Sequence, residues 1–341
     1  MSKRLATVFA YLLPFVLVFA SLFVGRYPIT FAQVWGSLAG AIVPGVREGM
    51  FASGALTYTI YTLVINVRLP RALGAAIIGA ALASSGAAFQ GVFRNPLVSS
   101  GILGVSNGAG FGAALAIVVF SGTTLGIYPF AFTFGCVAVL ASYLIARVYR
   151  TTPTIMLILG GTIVSSVFAA LISLLKYLAD PTTQLPNLVY WLMGSVSSVG
   201  WKQLIAVIPI AIGFALLIIM AWRINVLSMG DKEARAMGVD VRRDKFLVIA
   251  GATLATAGAV CISGVIGWVG LIIPHIGRMI CGSDNRRLIP LAAAIGASFM
   301  SIIDLIARTL TVSEIPLGVL TALIGAPFFV YLLKKTKGRD W

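Results

Sequence analysis

Uncharged, mostly apolar runs about the length of a membrane span recur along the whole of this 341-residue sequence, and nothing else in it limits the fold so tightly. A hydrocarbon core about 30 Å thick needs roughly 20 mostly apolar residues to cross it as a helix. The runs fall at Leu5–Val24, Ala72–Phe93, Gly101–Phe120, Ile127–Ala146, Ile155–Leu175, Gln203–Trp222, Phe246–Trp268, Gly270–Cys281, Leu288–Ala307 and Ile315–Leu333. The eighth is short, and the uncharged stretch from Phe246 to Gly277 is too long for one span yet cramped for two, so the count is ten with nine as the alternative. A chain that is 59 % hydrophobic and only 10 % charged lies well outside soluble norms. The predicted class is therefore an all-α integral membrane protein of about ten transmembrane helices, forming a single domain over residues 1–341.

Two segments interrupt this regularity. Gln184–Gly200 is apolar but broken by Pro186 and Gly194, which suits an interfacial helix better than a full span. Residues 25–70 make the longest connection on one side and residues 223–245 the longest on the other. The amino terminus starts with Lys3 and Arg4 as a signal peptide does, but its apolar stretch is too long and lacks a clear cleavage site, so an uncleaved first span is expected. Gly-, Ala- and Ser-rich runs such as "GAAIIGAALASSGAAFQG" let helix backbones approach closely.

Basic residues collect on cytoplasmic loops near span ends. With the amino terminus inside and ten spans, 18 of the 25 Lys and Arg fall on the inner side, so both termini are expected in the cytoplasm. The net charge of +15 is accounted for by this bias and by anionic lipid head groups, and nucleic acid is not an expected partner. Cys136, Cys261 and Cys281 lie in or beside apolar spans without paired spacing and read as core residues.

Catalytic motifs are mostly lacking. There is no GxxxxGK(S/T) phosphate loop and no HExxH, and His275 is the single histidine. "GVSNG", Gly104–Gly108, matches GxSxG, but it sits in an apolar helix beside further glycines, where small-residue packing explains it. Asp304 is an ionisable residue inside a span, and such a residue is a functional hypothesis by default. Arg308, one turn on, offers it a local ion pair. A secondary transporter would have to use Asp304, and an intramembrane hydrolase would have to use Ser106 with His275. No residue is assigned a catalytic or metal-ligand role.

The most polar stretch, "MGDKEARAMGVDVRRDK", holds nine charged residues between Asp231 and Lys245. It predicts a short helix, ended by Gly238, with Asp231, Lys232, Glu233 and Arg235 in water. Ala234, Ala236, Met237 and Val239 would then form a small apolar face suited to a groove on another protein.

Five ordered blocks carry a resemblance over almost the whole chain. They are Arg68–Gly110, "RLPRALGAAIIGAALASSGAAFQGVFRNPLVSSGILGVSNGAG"; Tyr190–Ser195, "YWLMGS"; Met229–Val241, "MGDKEARAMGVDV"; Gly264–Arg278, "GVIGWVGLIIPHIGR"; and Glu314–Leu333, "EIPLGVLTALIGAPFFVYLL". The sequence resembles the FecCD family of permeases from type II ABC importers, which take up cobalamin, haem, iron–siderophores and other metal chelates. Trp268 stands where many members carry Phe or Ile.

The resemblance implies a multi-pass permease of a bacterial or archaeal cytoplasmic membrane. It implies a homodimer with the path between two copies, two ABC ATPase subunits beneath, and an extracytoplasmic substrate-binding protein above. ATP and Mg would be bound by the ATPase partner, with no cofactor in this chain. The coupling segment would comprise Gly230, Asp231, Glu233, Ala234, Arg235, Gly238 and Val239, as a pair of short cytoplasmic helices. Arg68 and Arg71 of "RLPR", with Arg308, would dock the binding protein through bidentate contacts to carboxylates. Asn95 and Leu97 of "RNPL" would line the inner gate with Thr152 and Thr154 of "TTPT", where Pro153 departs from the family pattern. The expected cargo is an iron–siderophore, with haem, cobalamin or molybdate as alternatives. Tyr190 and Trp191 would stack on a flat ligand or anchor an interface.

Overall fold

The computed structural model describes residues 3–120, 124–147 and 153–336, and the regular elements among them are helical. In chain order they are α1 (Lys3–Ser21), α2 (Phe31–Ile42), α3 (Pro44–Ala52), α4 (Tyr58–Thr62), α5 (Leu69–Phe93), α6 (Val105–Val119), α7 (Thr124–Ala146) and α8 (Thr154–Leu178). There follow α9 (Gln184–Met193), α10 (Val207–Met229), α11 (Asp231–Ala236), α12 (Val241–Ser263), α13 (Val269–Cys281), α14 (Asn285–Thr309) and α15 (Leu317–Thr336). Each of the ten expected spans has its helix. Six helical stretches are long and apolar enough to cross a membrane, and α1, α2, α6, α13 and α15 supply shorter apolar ones.

The uncharged stretch from Phe246 to Gly277 divides into α12 and α13. Gly264 and Trp268 both take positive φ, 69° and 70°, and the turn between them ends one helix and starts the next. A tryptophan in that region is uncommon. Its ring is held against Phe329 of α15, with centroids 6.4 Å apart.

The long connection over residues 25–70 is itself largely helical. Thr30 and Gln33 form a reciprocal capping box that starts α2. Tyr58–Phe93 then runs as one 36-residue helix whose segment Leu63–Arg68 is a π-helical turn. Pro70 follows after Leu69, and the widened turn absorbs the hydrogen bond and the space that a proline denies to a regular helix.

At the centre lies α5, which is buried on nearly every side and packs against α10, α12, α13 and α14. Its glycines set the spacing. A Cβ on Gly79 would stand 2.1 Å from the carbonyl oxygen of Gly296 in α14, and one on Gly86 2.0 Å from that of Gly270 in α13. Small residues let these backbones touch, and van der Waals contact replaces the missing hydrophobic drive between helices in lipid.

Polar groups gather at the two ends of the bundle. One end carries α11, the carboxyl ends of α5, α10 and α13, and the start of α14; here Asn225 of α10 accepts from both the backbone and the side-chain nitrogen of Asn285 at 2.8 Å. The other end gathers residues 21–27, the π turn, Trp201 and residues 304–314.

Candidate functional site

The α11 segment is a helix of a single turn and a half that leaves the bundle and returns. Gly230 opens it at φ 135° and Gly238 closes it at φ 76°. The closure is a Schellman motif: Gly238 N donates to Arg235 O at 2.9 Å, and Val239 N donates to Ala234 O at 3.0 Å. Ala234 and Val239, the residues that flank this motif, are buried. Asp240 then caps α12 by accepting from the N–H groups of Arg242 and Arg243. Beneath the helix the Lys245 ammonium is fully buried and donates to Asp231 at 2.7 Å.

This geometry corrects the expected apolar face. Ala234 and Val239 point into the bundle and anchor the segment, whereas Ala236 and Met237 lie exposed beside Lys232, Glu233 and Arg235. The outward surface is thus one methionine, 52 % exposed, set among charges of both signs. Of the expected pair of short helices, α11 is one, and the first turn of α12 takes the place of the other.

On the same end, Arg94 terminates α5 at φ 51°. The chain turns there, with Asn95 N donating to Gln90 O, and the Asn95 side chain accepts from Leu97 N at 2.9 Å. Leu97 is 54 % exposed. This turn is held by a residue the sequence reading did not single out. Gln90, buried in α5, donates from Nε2 to the carbonyls of Val98, Gly270 and Leu271, and its Oε1 accepts from Arg278. One amide therefore joins α5, the "RNPL" turn and α13. A lone amide in a run of small residues was the available signal. A crevice of about 510 Å³ opens beside it, lined by Arg94, Asn95, His275 and Arg278 among others. Thr154 is the first residue of α8, behind Pro153 as its cap, and Thr152 lies outside the described residues.

At the opposite end the three arginines expected to meet a binding protein are turned inward. Arg68 is buried and donates to the carbonyls of Leu22, at 2.7 Å, and Tyr27. Arg71 is buried between Asp304, at 2.8 Å, and Glu314, at 2.7 Å. Arg308 is buried, donates to Ser21 O at 2.7 Å and stands 3.6 Å from Asp304. The expectation that these guanidinium groups face outward is corrected: unpaired charges at these depths would be costly, so each is matched to a carboxylate or a carbonyl. Asp304 is paired chiefly with Arg71 rather than with Arg308 one turn away. Burial pushes the Glu314 carboxyl up, but its bonds to Arg71 outweigh that and hold it below the ordinary value. Arg68 thus holds the backbone of Leu22 and Tyr27, and Arg26 holds that of Thr311 at the same end.

At this end, α9 and the end of α12 enclose a recess of about 540 Å³ lined by Tyr128, Gln184, Asn187, Tyr190, Trp191 and Ser198 among others. The turn that leads into α9 is set by Asp180, whose carboxylate accepts from the backbone and hydroxyls of Thr182 and Thr183. Those bonds pull its pKa down to about 2. The neighbouring span α8 leaves one long face uncovered, where Thr162, Ser166 and Ser173 bond back to their own helix. Among the described residues no cluster of His, Cys, Asp or Glu is suited to a metal. Ser106 sits at the start of α6 and His275 within α13.

Comparison with known proteins gives a consistent result. Residues 12–335 match the model of the FecCD transport family. The chain is 39 % identical over 322 residues to the molybdate import system permease protein MolB of Haemophilus influenzae, covering 93 % of this chain and 91 % of that one. It is 42 % identical over 282 residues to the cobalamin import system permease protein BtuC of Halobacterium salinarum, covering 82 % and 76 %. Its fold matches a solved metal-chelate type ABC transporter in an inward-facing conformation, with a TM-score of 0.83, 37 % identity and coverage of 97 % and 99 %.

Proposed function

The chain belongs to the FecCD transport family, and from that premise we propose that it is the permease subunit of an ATP-driven importer for a metal chelate. It is a transport component, without covalent chemistry of its own. Two copies form the path between them, two ABC ATPases supply hydrolysis, and a binding protein delivers cargo from outside. The α11 end faces the cytoplasm and the arginine end faces outward. Both termini are then cytoplasmic, in a bacterial or archaeal cytoplasmic membrane.

The observation that carries this reading is the mounting of α11. A free loop would absorb a partner's movement, whereas a helix capped by a Schellman motif and tied through Asp231 to buried Lys245 passes that movement to α12. The exposed Met237, with Lys232, Glu233 and Arg235 around it, is the surface offered to the ATPase. Asn95, Leu97 and Thr154 serve as gate elements, and Gln90 links the "RNPL" turn to α13. Alternating access then amounts to rotation of these elements about the α5 core.

Arg68, Arg71 and Arg308 assist docking by holding the outer loops in register rather than by touching the binding protein. The cargo assigned first is an iron–siderophore. Relatives named for molybdate and for cobalamin make those, with haem, the comparison set. The test is ATP hydrolysis by the assembled permease and ATPase in lipid, with binding protein loaded in turn with ferric siderophores, haem, cobalamin and molybdate. Stimulation by one loaded form names the cargo, and failure to associate with any ATPase refutes the importer reading.

A further inference from the structure

The crevice beside Gln90 gathers positive charge that the protein does not neutralise. Arg94, His275 and Arg278 line it together with Asn95, and no Asp or Glu among the described residues contributes to its wall. Arg278 donates to the neutral amide oxygen of Gln90, while its Nη1 is buried without an acceptor. Neither Arg94 nor Arg278 forms an ion pair among the described residues. The acidic groups at this end are engaged elsewhere: Asp231 holds Lys245, Asp284 holds Arg286, Asp240 caps α12 and Asp244 faces Arg223. Glu233 is the exception. A Cβ on Gly230 would stand 2.0 Å from Glu233 Oε2 and 3.5 Å from Arg94 Nη1, yet the two side chains do not pair.

From this imbalance we infer that the crevice is a binding site for a small inorganic oxyanion of the phosphate class, held by Arg94 and Arg278. A part-buried guanidinium group is costly to leave without a counter-charge. Water can satisfy an N–H group there, but only an anion offsets the charge. The planar fork of a guanidinium group matches two oxygens of an oxyanion, which a spherical chloride does not offer. Asn95 adds a donor: its side-chain oxygen is engaged by Leu97 N, and its amide nitrogen remains for a ligand. Size is no obstacle. At about 30 Å³ per water in the liquid, a crevice of about 510 Å³ takes such an ion with much of its hydration shell.

The position of the two arginines gives the ion a structural consequence. Arg94 ends α5 and opens the "RNPL" turn, whereas Arg278 belongs to α13. An anion held by both ties the turn to α13, in parallel with the link that Gln90 makes through the carbonyls of Val98, Gly270 and Leu271. Glu233 is the internal competitor, because its carboxylate is the free acidic group nearest Arg94. Binding of this kind is a property of the chain alone and holds whatever the cargo and whichever way the chain faces.

The experiment is thermal unfolding of the purified full-length protein in neutral detergent, titrated with inorganic phosphate against chloride at matched ionic strength. Phosphate should raise the melting temperature saturably, by about 3 °C at a tenfold excess over the half-saturating concentration, and chloride should not. Arg94→Asn, chosen because asparagine tolerates the φ of 51° at that residue, should weaken binding roughly tenfold. Arg278→Gln should abolish it. Should that variant fail to fold, Glu233→Gln carries the charge test from the other side and should tighten binding several-fold. Arg286→Gln with Arg287→Gln, in the neighbouring basic recess, should change nothing. Hydrogen exchange should slow at residues 94–98 when phosphate is present, and not in Arg94→Asn. Equal stabilisation by chloride overturns the proposal, as does phosphate binding that survives Arg94→Asn unchanged or is lost with Arg286 and Arg287. Dihexanoyl phosphatidic acid should compete no better than phosphate itself; a tenfold advantage would mark a lipid head-group site and overturn the free-ion assignment.

Discussion

The buried Lys245 ammonium stands 2.7 Å from the Asp231 carboxylate, and so the first residue of α11 is fastened to the first turns of α12. Removing one partner of a buried pair costs roughly 3–5 kcal/mol. Asp231 keeps 29 % of its side-chain exposure, and solvent screening reduces the expected loss for Asp231→Ala to about 2 kcal/mol. Thermal unfolding should register this, and adding Lys245→Met should restore most of the stability. Coupling should not return with it. In the assembled transporter both variants are expected to hydrolyse ATP without the stimulation that loaded binding protein gives. A double variant with normal stimulation would show that the tie holds the fold but transmits nothing.

Gln90 makes the sharper functional test, because its bonds tie α5 to two other elements, the "RNPL" turn and α13. Gln90→Leu keeps the volume but strips the carbonyls of Val98, Gly270 and Leu271 of a donor and Arg278 of an acceptor. An unsatisfied buried polar group costs about 1–3 kcal/mol. The expected outcome is a loosened "RNPL" turn, seen as raised ATP hydrolysis in the absence of binding protein, with transport reduced several-fold. Gln90→Glu should behave differently, since it keeps the acceptor for Arg278 while losing the donors.

What was legible in the sequence followed from chemistry that is local. Ten apolar runs located ten helices because desolvation of the backbone leaves few other options, and Gly238 marked the end of α11 because a Schellman closure needs a residue at ease with positive φ. The capping box at Thr30 and Gln33 was equally local, yet it lay in a segment read as a connection. Pairings across the fold were not legible. Arg71 reaches Asp304 and Glu314 more than 230 positions away, and only the assembled bundle shows that "RLPR" faces inward. The same holds for the side of α11 on which Ala234 falls. A six-residue helix completes fewer than two turns, too few repeats for periodicity to fix which face is covered.

The contact between α5 and α14 gives a stability prediction with an internal control. A methyl group on Gly79 would meet the backbone of Gly296 at 2.1 Å, and backbone cannot rotate aside. Overpacking of this kind costs typically 1–3 kcal/mol and occasionally more, so Gly79→Ala should lose about 3 kcal/mol or fail to fold. Gly49, inside α3, has nothing within 4 Å of the added carbon, and Gly49→Ala should gain up to about 1 kcal/mol from helix propensity. Intrinsic-fluorescence melting of the two purified variants decides whether close approach, rather than glycine content as such, is what the α5 spacing requires.

Acid should loosen the cluster of Arg71, Asp304 and Glu314 through Glu314. Glu314 has its folded pKa held below the ordinary value of 4.5 by Arg71, against the opposing effect of burial. A carboxyl with a lowered folded pKa contributes its full stabilisation above the unfolded value, and loses it as pH falls through the folded value. The gap in melting temperature between the native protein and Glu314→Gln should therefore be constant from pH 8 to about 5 and close below about 4. Its size is modest, about 1 kcal/mol, because the side chain is 26 % exposed and Arg71 retains Asp304 when Glu314 is gone. Arg71→Ala should be the harsher change, since it strands the buried Asp304 beside Arg308 alone at 3.6 Å. That variant should also free residues 310–316 to exchange amide hydrogen faster, a measurement that reads this end of the bundle directly. If the Glu314→Gln gap persists unchanged at pH 3, the charge of Glu314 plays no part in holding this end of the bundle.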